Sequence, residues 1–384
     1  MSLSFEVSEF RRRQNRVCAA MAAAGLDGLL MFKQESMYYL TGYDTDGFVL
    51  FQTLFLGVDG RLCLLTRSAD RYQAQHTSII EDVRIWVDAG DQNPAIGVKE
   101  MLTSVAMASK RIGVEYDAYG LSAKRGKAVD AALAGFCQLE DASDLVREIR
   151  LVKSPAEIAC LRTAGRICDA VRDEALRLAV PGADEGDIRG AMHRVIWSSD
   201  GDTPAHVWPM GAGDKAPLVR YHSGSSQIQD DDQMFFEFAA PYRHYHAAMT
   251  LTVLTGKINE RQQTMFAVCR DALEAVEEVL TPGHTVGDLF EAHRRVYVDA
   301  GHGEHYLNVC GYSMGAVFPP TWMEDPLIRR DDPLVLESGM VFFMHMLMVD
   351  RERRLMMSLG EQALVQDGAC EPITHAPRAL PTNS

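Results

Sequence analysis

The chain has 384 residues, 47% of them apolar and 24% charged, a composition that suits two globular domains with enough chain in the larger to bury a full core. A formal charge of −15, with Lys and Arg scattered instead of striped, excludes nucleic acid as the expected partner. No run of about 18 apolar residues occurs, and the opening segment MSLSFEVSEFRRRQNR puts charge where an export signal needs an apolar stretch, so no membrane span is expected and the cytoplasm is the expected location.

In chain order, Phe5 to Ala24 has helical periodicity and is ended by Gly25, before the apolar strand Gly28 to Phe32. Strands are expected at Phe48–Gly57 and Leu62–Thr66 around the turn Val58-Asp59-Gly60-Arg61, and again at Val83–Val87 and Ile112–Glu115. Helices between them, at 68–77, 93–109 and 121–136, make a mixed sheet flanked by helices. The eight cysteines include no CxxC pair and read as reduced core thiols.

Near residue 141 a short charged connector leads into a long amphipathic helix. Ser154 is placed to cap it, Pro155 to occupy its first position and Glu157 to complete a capping box. The domain boundary follows from this, giving 1–147 and 148–384. The second part contains an internal repeat. PGADEGDIRGAMHRV (Pro181 to Val195) and PGHTVGDLFEAHRRV (Pro282 to Val296) share Pro-Gly, Gly-Asp, an aliphatic residue, Ala, Arg and Val at equal offsets. A duplicated helix-plus-strands unit with a site between its halves accounts for this better than two unrelated helix starts.

These segments resemble the creatinase/prolidase (M24, pita-bread) family. VREIRLVKSPAEIACLRTAG is similar to the connector and first helix of its catalytic domain, the two Pro-Gly segments to its repeats, and LESGMVFF (336–343) to a late strand entry. The fold implied is α/β (α+β), an N-terminal mixed-sheet creatinase-like domain followed by a pseudo-twofold pita-bread domain. In the peptidase members five acidic or histidine side chains hold two metal ions. The matching positions here are Glu237, Ala248, Tyr312, His345 and Glu361. An alanine methyl coordinates nothing and a neutral tyrosine is a poor ligand, so the resemblance is to the metal-free branch, ectoine hydrolase-like ahead of creatinase-like, and no cofactor is expected. The first of these is carried by LTGYDTDGFVLFQTLFLGVDG (40–60), which includes Gln52, by FFEFAAPYRHYH with Glu237 and His246, and by GYSMGAVFPPTW (311–322). Leu251 replaces an expected arginine and His345 is unusual, so the reaction class carries over more readily than the substrate.

Hydrolysis of an amide or amidine without a metal needs a base or nucleophile and donors for the charge that develops. His222, in the polar loop PLVRYHSGS, resembles the family's general-base histidine. Glu237 stands among Met234, Phe235, Phe236 and Phe238, where burial perturbs its ionisation. It reads as a base, a nucleophile or a cation-binding group, or as a carboxylate paired with arginine to fix the sheet. Glu361 and His345 are expected opposite Glu237, as acid/base partners or as the three ligands of a single ion. Tyr312 donates a hydroxyl or acts as an acid. His246 and His244 bind a substrate carboxylate or line a hairpin, and Trp208, Phe318 and Trp322 form an apolar wall or an aromatic box over a cationic ligand, or pack the core. The expectation is a metal-independent hydrolase of a C–N bond in a small polar or zwitterionic compound, acting as a homodimer with Gln52 near the partner's site. The rivals are a metal-dependent Xaa-Pro peptidase-like enzyme or lyase, and a non-catalytic small-molecule-binding relative.

Overall fold

The computed structural model describes residues 3–90 and 92–383 and divides the chain into two compact units, Met1–Arg150 and Leu151–Ser384. In the first, α1 (Val7–Ala23), β1 (Gly28–Met31), α2 (Gln34–Thr41), β2 (Thr53–Gly57), β3 (Leu62–Arg67), α3 (Arg71–Thr77), β4 (Val83–Trp86), α4 (Pro94–Ser104), β5 (Arg111–Val114), α5 (Ala123–Leu133) and β6 (Gln138–Asp141) follow in order, and α6 (Leu145–Leu151) runs to the boundary. The sheet order is β4-β3-β2-β1-β5-β6, with β1 antiparallel to β2 and parallel to β5. Both faces carry a core, because successive residues of β1 point to opposite sides: Leu30 joins the cluster under α4 and α5, and Leu29 and Met31 join the one with Val17, Met21 and Ala74.

Two expected elements differ. The strand expected from Phe48 begins only at Thr53, after a 3-10 turn at Gly47–Val49 that leaves Val49 63% exposed. The connector is helical as α6, and α2 forms from the sequence QESMYYLT. Helix α2 is anchored by Glu115, whose buried carboxyl accepts from Phe32 N, Lys33 N and Ser36 Oγ, placing an acid at a helix N-terminus.

The second unit opens with α7 (Pro155–Leu178), started by a full capping box of Ser154 and Glu157 with Pro155 at its first position. Then come α8 (Glu185–Ser198), β7 (Met210–Ala212), β8 (Gln233–Tyr242), β9 (Tyr245–Thr255), α9 (Glu260–Val279), α10 (Val286–Asp299), β10 (Val309–Ser313), β11 (Glu324–Arg329), β12 (Val341–Asp350) and β13 (Leu355–Leu364). The two Pro-Gly segments lead into α8 and α10, through Gly182 and Gly283 at φ +83° and +93°, where a side chain is strained. The strand order β11-β10-β12-β13-β9-β8-β7 makes the repeat visible as two helix pairs and two long hairpins, β8/β9 and β12/β13, meeting at the β9–β13 seam. The helices cover one face. Phe342, Met344, Met346, Leu359 and Ala363 point into that helix-side core with residues of α9 and α10. The alternate residues form the inner face. No helix among the described residues is long and apolar enough to cross a membrane.

Candidate active site

The strand register assembles the inner face. Glu237 pairs with Thr250, Thr250 with Gly360, and Gly360 with His345, so these four positions form one row across β8, β9, β13 and β12. Glu237 and His345 are equidistant from the β9–β13 seam and are therefore equivalent positions of the two halves. A neighbouring row carries Gln362, Phe343 and Tyr312. Gly360 is required at the centre of the first row, since a Cβ there would lie 2.3 Å from Met344 O and 2.8 Å from Thr250 Cγ2.

Four strand spacings separate β10 from β8, about 19 Å in a flat sheet, yet Tyr312 Oη lies 3.5 Å from Glu237 Oε1. The segment after β10 explains this, because it turns back to pair with the start of β9. His246 N donates to Gly315 O, Val317 N donates to His244 O, and Tyr245 bridges Ala316. That closure curls the two edges of the inner face toward each other. Trp322 Nε1 then donates to Tyr312 Oη at 2.8 Å, occupying an acceptor site of the hydroxyl and leaving its hydrogen available to Glu237 or a ligand.

Burial pushes the Glu237 carboxyl up to about 7, against the lowering effect of the Arg220 guanidinium and the Tyr312 hydroxyl. Burial likewise, then the Glu237 charge, holds Tyr312 far above the usual phenol range, so it stays protonated. His345, packed against Tyr312 and Phe343, is pushed down to about 4 by burial and is neutral at physiological pH; its Nδ1 is buried without a hydrogen-bond partner among the described residues. The site thus pairs a carboxyl poised near neutrality with an uncharged hydroxyl and an uncharged imidazole.

Basic residues border it. His222 is exposed in the loop before β8, and its pKa is lowered by partial burial and by His206, Arg189 and Arg220. His206 lies edge-on to His222, with ring centroids 6.0 Å apart, and edge-on to Trp322 at 5.3 Å. Sequence reading passed over His206 and Arg220. No spacing marks either, and only the folded loops bring them beside Trp322 and Glu237.

Other expected residues lie elsewhere. Glu361 pairs with Met344, a helix-side residue, so it faces away from Glu237 and His345. There it accepts from Arg378 Nη2 at 2.9 Å and Ala376 N at 2.8 Å. Burial and the neighbouring Glu277 raise its carboxyl above the ordinary range. The three-ligand set of Glu237, His345 and Glu361 is therefore split by the sheet, a correction that follows from the one-residue offset between Glu361 and Gly360. Trp208 also sits on the helix side, fully buried, stacked on His193 and packed against Phe238. His246 is fully buried with both nitrogens used: Nε2 accepts from Ala205 N, so Nδ1 carries the hydrogen and donates to His244 O. With its pKa lowered to about 3 by burial, it stays neutral and is not free to bind an anion. Phe318 is buried and stacks on His244, whose place is the hairpin turn at φ +62°. Gln52 belongs to the first unit, where it is buried between Tyr43 Oη and Gln34.

The model of metallopeptidase family M24 matches residues 159–367, and that of the creatinase/prolidase N-terminal domain matches residues 13–152. The chain belongs to the M24 family and is a hydrolase of that family. Over 99% of its length it is 29% identical to ectoine hydrolase of Halomonas elongata, covering 98% of that protein. It is 30% identical to an uncharacterised hydrolase/peptidase of Sinorhizobium fredii, over 98% of both chains. The crystal structure of a prolidase from Thermococcus sibiricus superposes with a TM-score of 0.87 at 19% identity, covering 97% of this chain and 99% of that one, which shows the shared fold.

The family name implies a metal centre, and the side chains present do not fit one. Glu237 and His345 share the inner face, Glu361 is turned to the helix side, and among the described residues no three His, Cys, Asp or Glu side chains gather where they could hold an ion. The chemistry of the site is accordingly derived from its own acid, hydroxyl and imidazoles.

Proposed function

We propose that the chain is a metal-independent hydrolase of a C–N bond, amide or amidine, in a small zwitterionic compound. The observation that carries this reading is the contact of Glu237 with Tyr312, whose hydroxyl is held by Trp322. The acid titrates near neutrality and the hydroxyl stays protonated. Water adds to the carbon of the C–N bond as an imidazole at the rim, His222, takes its proton. The Tyr312 hydrogen steadies the charge on the heteroatom that remains. Glu237, protonated for part of the time at neutral pH, gives its proton to the leaving nitrogen. His345 lines the floor as a neutral group. Arg220 and Arg189 favour a substrate carboxylate at the rim, and the named ectoine hydrolase relative supports a non-peptide C–N bond.

A second reading, a metal-dependent Xaa-Pro peptidase-like enzyme, is favoured by the fold it shares with prolidases. We also propose that the chain works as a homodimer. Elemental analysis beside an activity screen on cyclic amidines, N-acyl amino acids and Xaa-Pro dipeptides, before and after chelator dialysis, separates the first two. Chelator-resistant turnover of a small C–N substrate, with no bound metal, is expected. Turnover that needs a tightly bound ion overturns it. Light scattering of the purified chain tests the dimer, and a monomer mass overturns it.

A further inference from the structure

His206 has three features of a working imidazole. Its Nδ1 lies 2.8 Å from Pro320 O, a group that only accepts, so Nδ1 carries the hydrogen and Nε2 keeps its lone pair. Its backbone is pinned one residue earlier, where Ala205 N donates to the buried, fully occupied His246. Its ring stands between His222 and Trp322, the indole that holds Tyr312 opposite Glu237. A carbonyl that fixes the tautomer and leaves the other nitrogen basic is the arrangement a proton acceptor requires. His222, by contrast, is exposed and has no hydrogen bond that orients its ring among the described residues.

We propose that His206 and His222 form a coupled imidazole pair at the rim of the site, with His206 Nε2 as the terminal proton acceptor. His222 takes a proton from the attacking water at one nitrogen and releases its other N–H proton toward His206 Nε2, directly after a small ring rotation or through one bridging water. No oxidant, metal or further reactant enters, and the proton returns to solvent from His206. The charged groups whose fields reach His222, besides His206 itself, are Arg189 from α8 and Arg220 from the same loop as His222. The two rings stand edge-on with centroids 6.0 Å apart, and the His206 charge is one of the causes that lower the His222 pKa. The role of His222 rests on the hydrolase reading above; the tautomer and the coupling do not.

The test uses the full chain with labelled histidines. Nitrogen NMR of the wild type should show His206 protonated at Nδ1, and His222→Gln should shift the His206 titration. His206→Asn, whose amide still reaches Pro320 O, should keep the wild-type melting temperature yet lower kcat/KM on the order of 10²-fold and remove the imidazole limb from the pH profile. A hydrogen on Nε2, independent titrations, or a His206→Asn enzyme within threefold of wild type with an unchanged profile each overturns the proposal, the last assigning His206 to tethering Pro320. If the wild type turns over none of the compounds screened, the hydrolase reading fails, and the tautomer and coupling still decide whether the pair exists.

Discussion

Tyr312→Phe removes one oxygen from the centre of the candidate site, and the structure gives three consequences of different size. The Trp322 indole N–H loses its only acceptor among the described residues while its side chain stays 1% exposed, a buried unsatisfied donor that costs about 1–3 kcal/mol. At roughly 2–4 °C per kcal/mol for a domain of this size, the melting temperature should drop by about 2–12 °C. Glu237 loses a hydrogen bond that favours its charged form, so the pH-rate limb belonging to this carboxyl should move up from near 7. Loss of a donor aimed at developing charge should lower kcat about 10²- to 10³-fold. The assay is a pH series of kcat/KM beside thermal melts. A variant that melts lower but keeps its rate and its limb would refute the argument and leave Tyr312 as packing under Trp322.

Gly360→Ala places a methyl 2.3 Å from Met344 O between Glu237 and His345, so about 1–3 kcal/mol of stability and most turnover should be lost, read by urea melts and rate. Glu361→Gln keeps the acceptor for Ala376 N and weakens the bond from Arg378; kcat/KM within threefold of wild type is expected, and a hundredfold loss would put Glu361 back in the site. His345, His246 and His293, pushed down by burial to about 4, 3 and 3, have folded pKa values below the free value of 6.5. The stability they contribute is present above pH 6.5 and is lost as pH falls toward these values, about 3 kcal/mol for His345 alone. Glu115 and Glu237, raised to about 7, act in the other direction, their contribution lost as pH rises from 4.5 through 7. Urea midpoints of His293→Phe should therefore depend less steeply on pH between 6.5 and 3 than those of the wild type.

Much of this was legible because local rules govern it. The capping box at Ser154 and the Pro-Gly starts of α8 and α10 need only neighbouring residues. What failed needed partners distant in sequence. Glu361 and His345 both look like site residues along their own strands, but the β12–β13 register pairs Glu361 with Met344 and His345 with Gly360, and an offset of one residue decides the face. Trp208, just before β7, is held on the helix side by His193 of α8 and Phe238 of β8, partners that its own neighbours in sequence do not reveal. The apolar run from Phe48 reads as strand, yet Val49 and Leu50 are spent on an exposed turn. His206 and Arg220 lie in loops whose course is set by His246, Pro320 and the β8 entry, and no periodicity reports on loops.

The equivalence of Glu237 and His345 has a consequence for how a ligand lies. A scaffold made of two like halves treats a molecule and the same molecule turned end for end as equal occupants. Here one half presents an acid and the other an uncharged ring, with Tyr312 beside only one approach, so the two orientations differ in energy and the site reads direction along its ligand. Duplication supplied the cradle; the divergence of two facing residues gave it a front and a back.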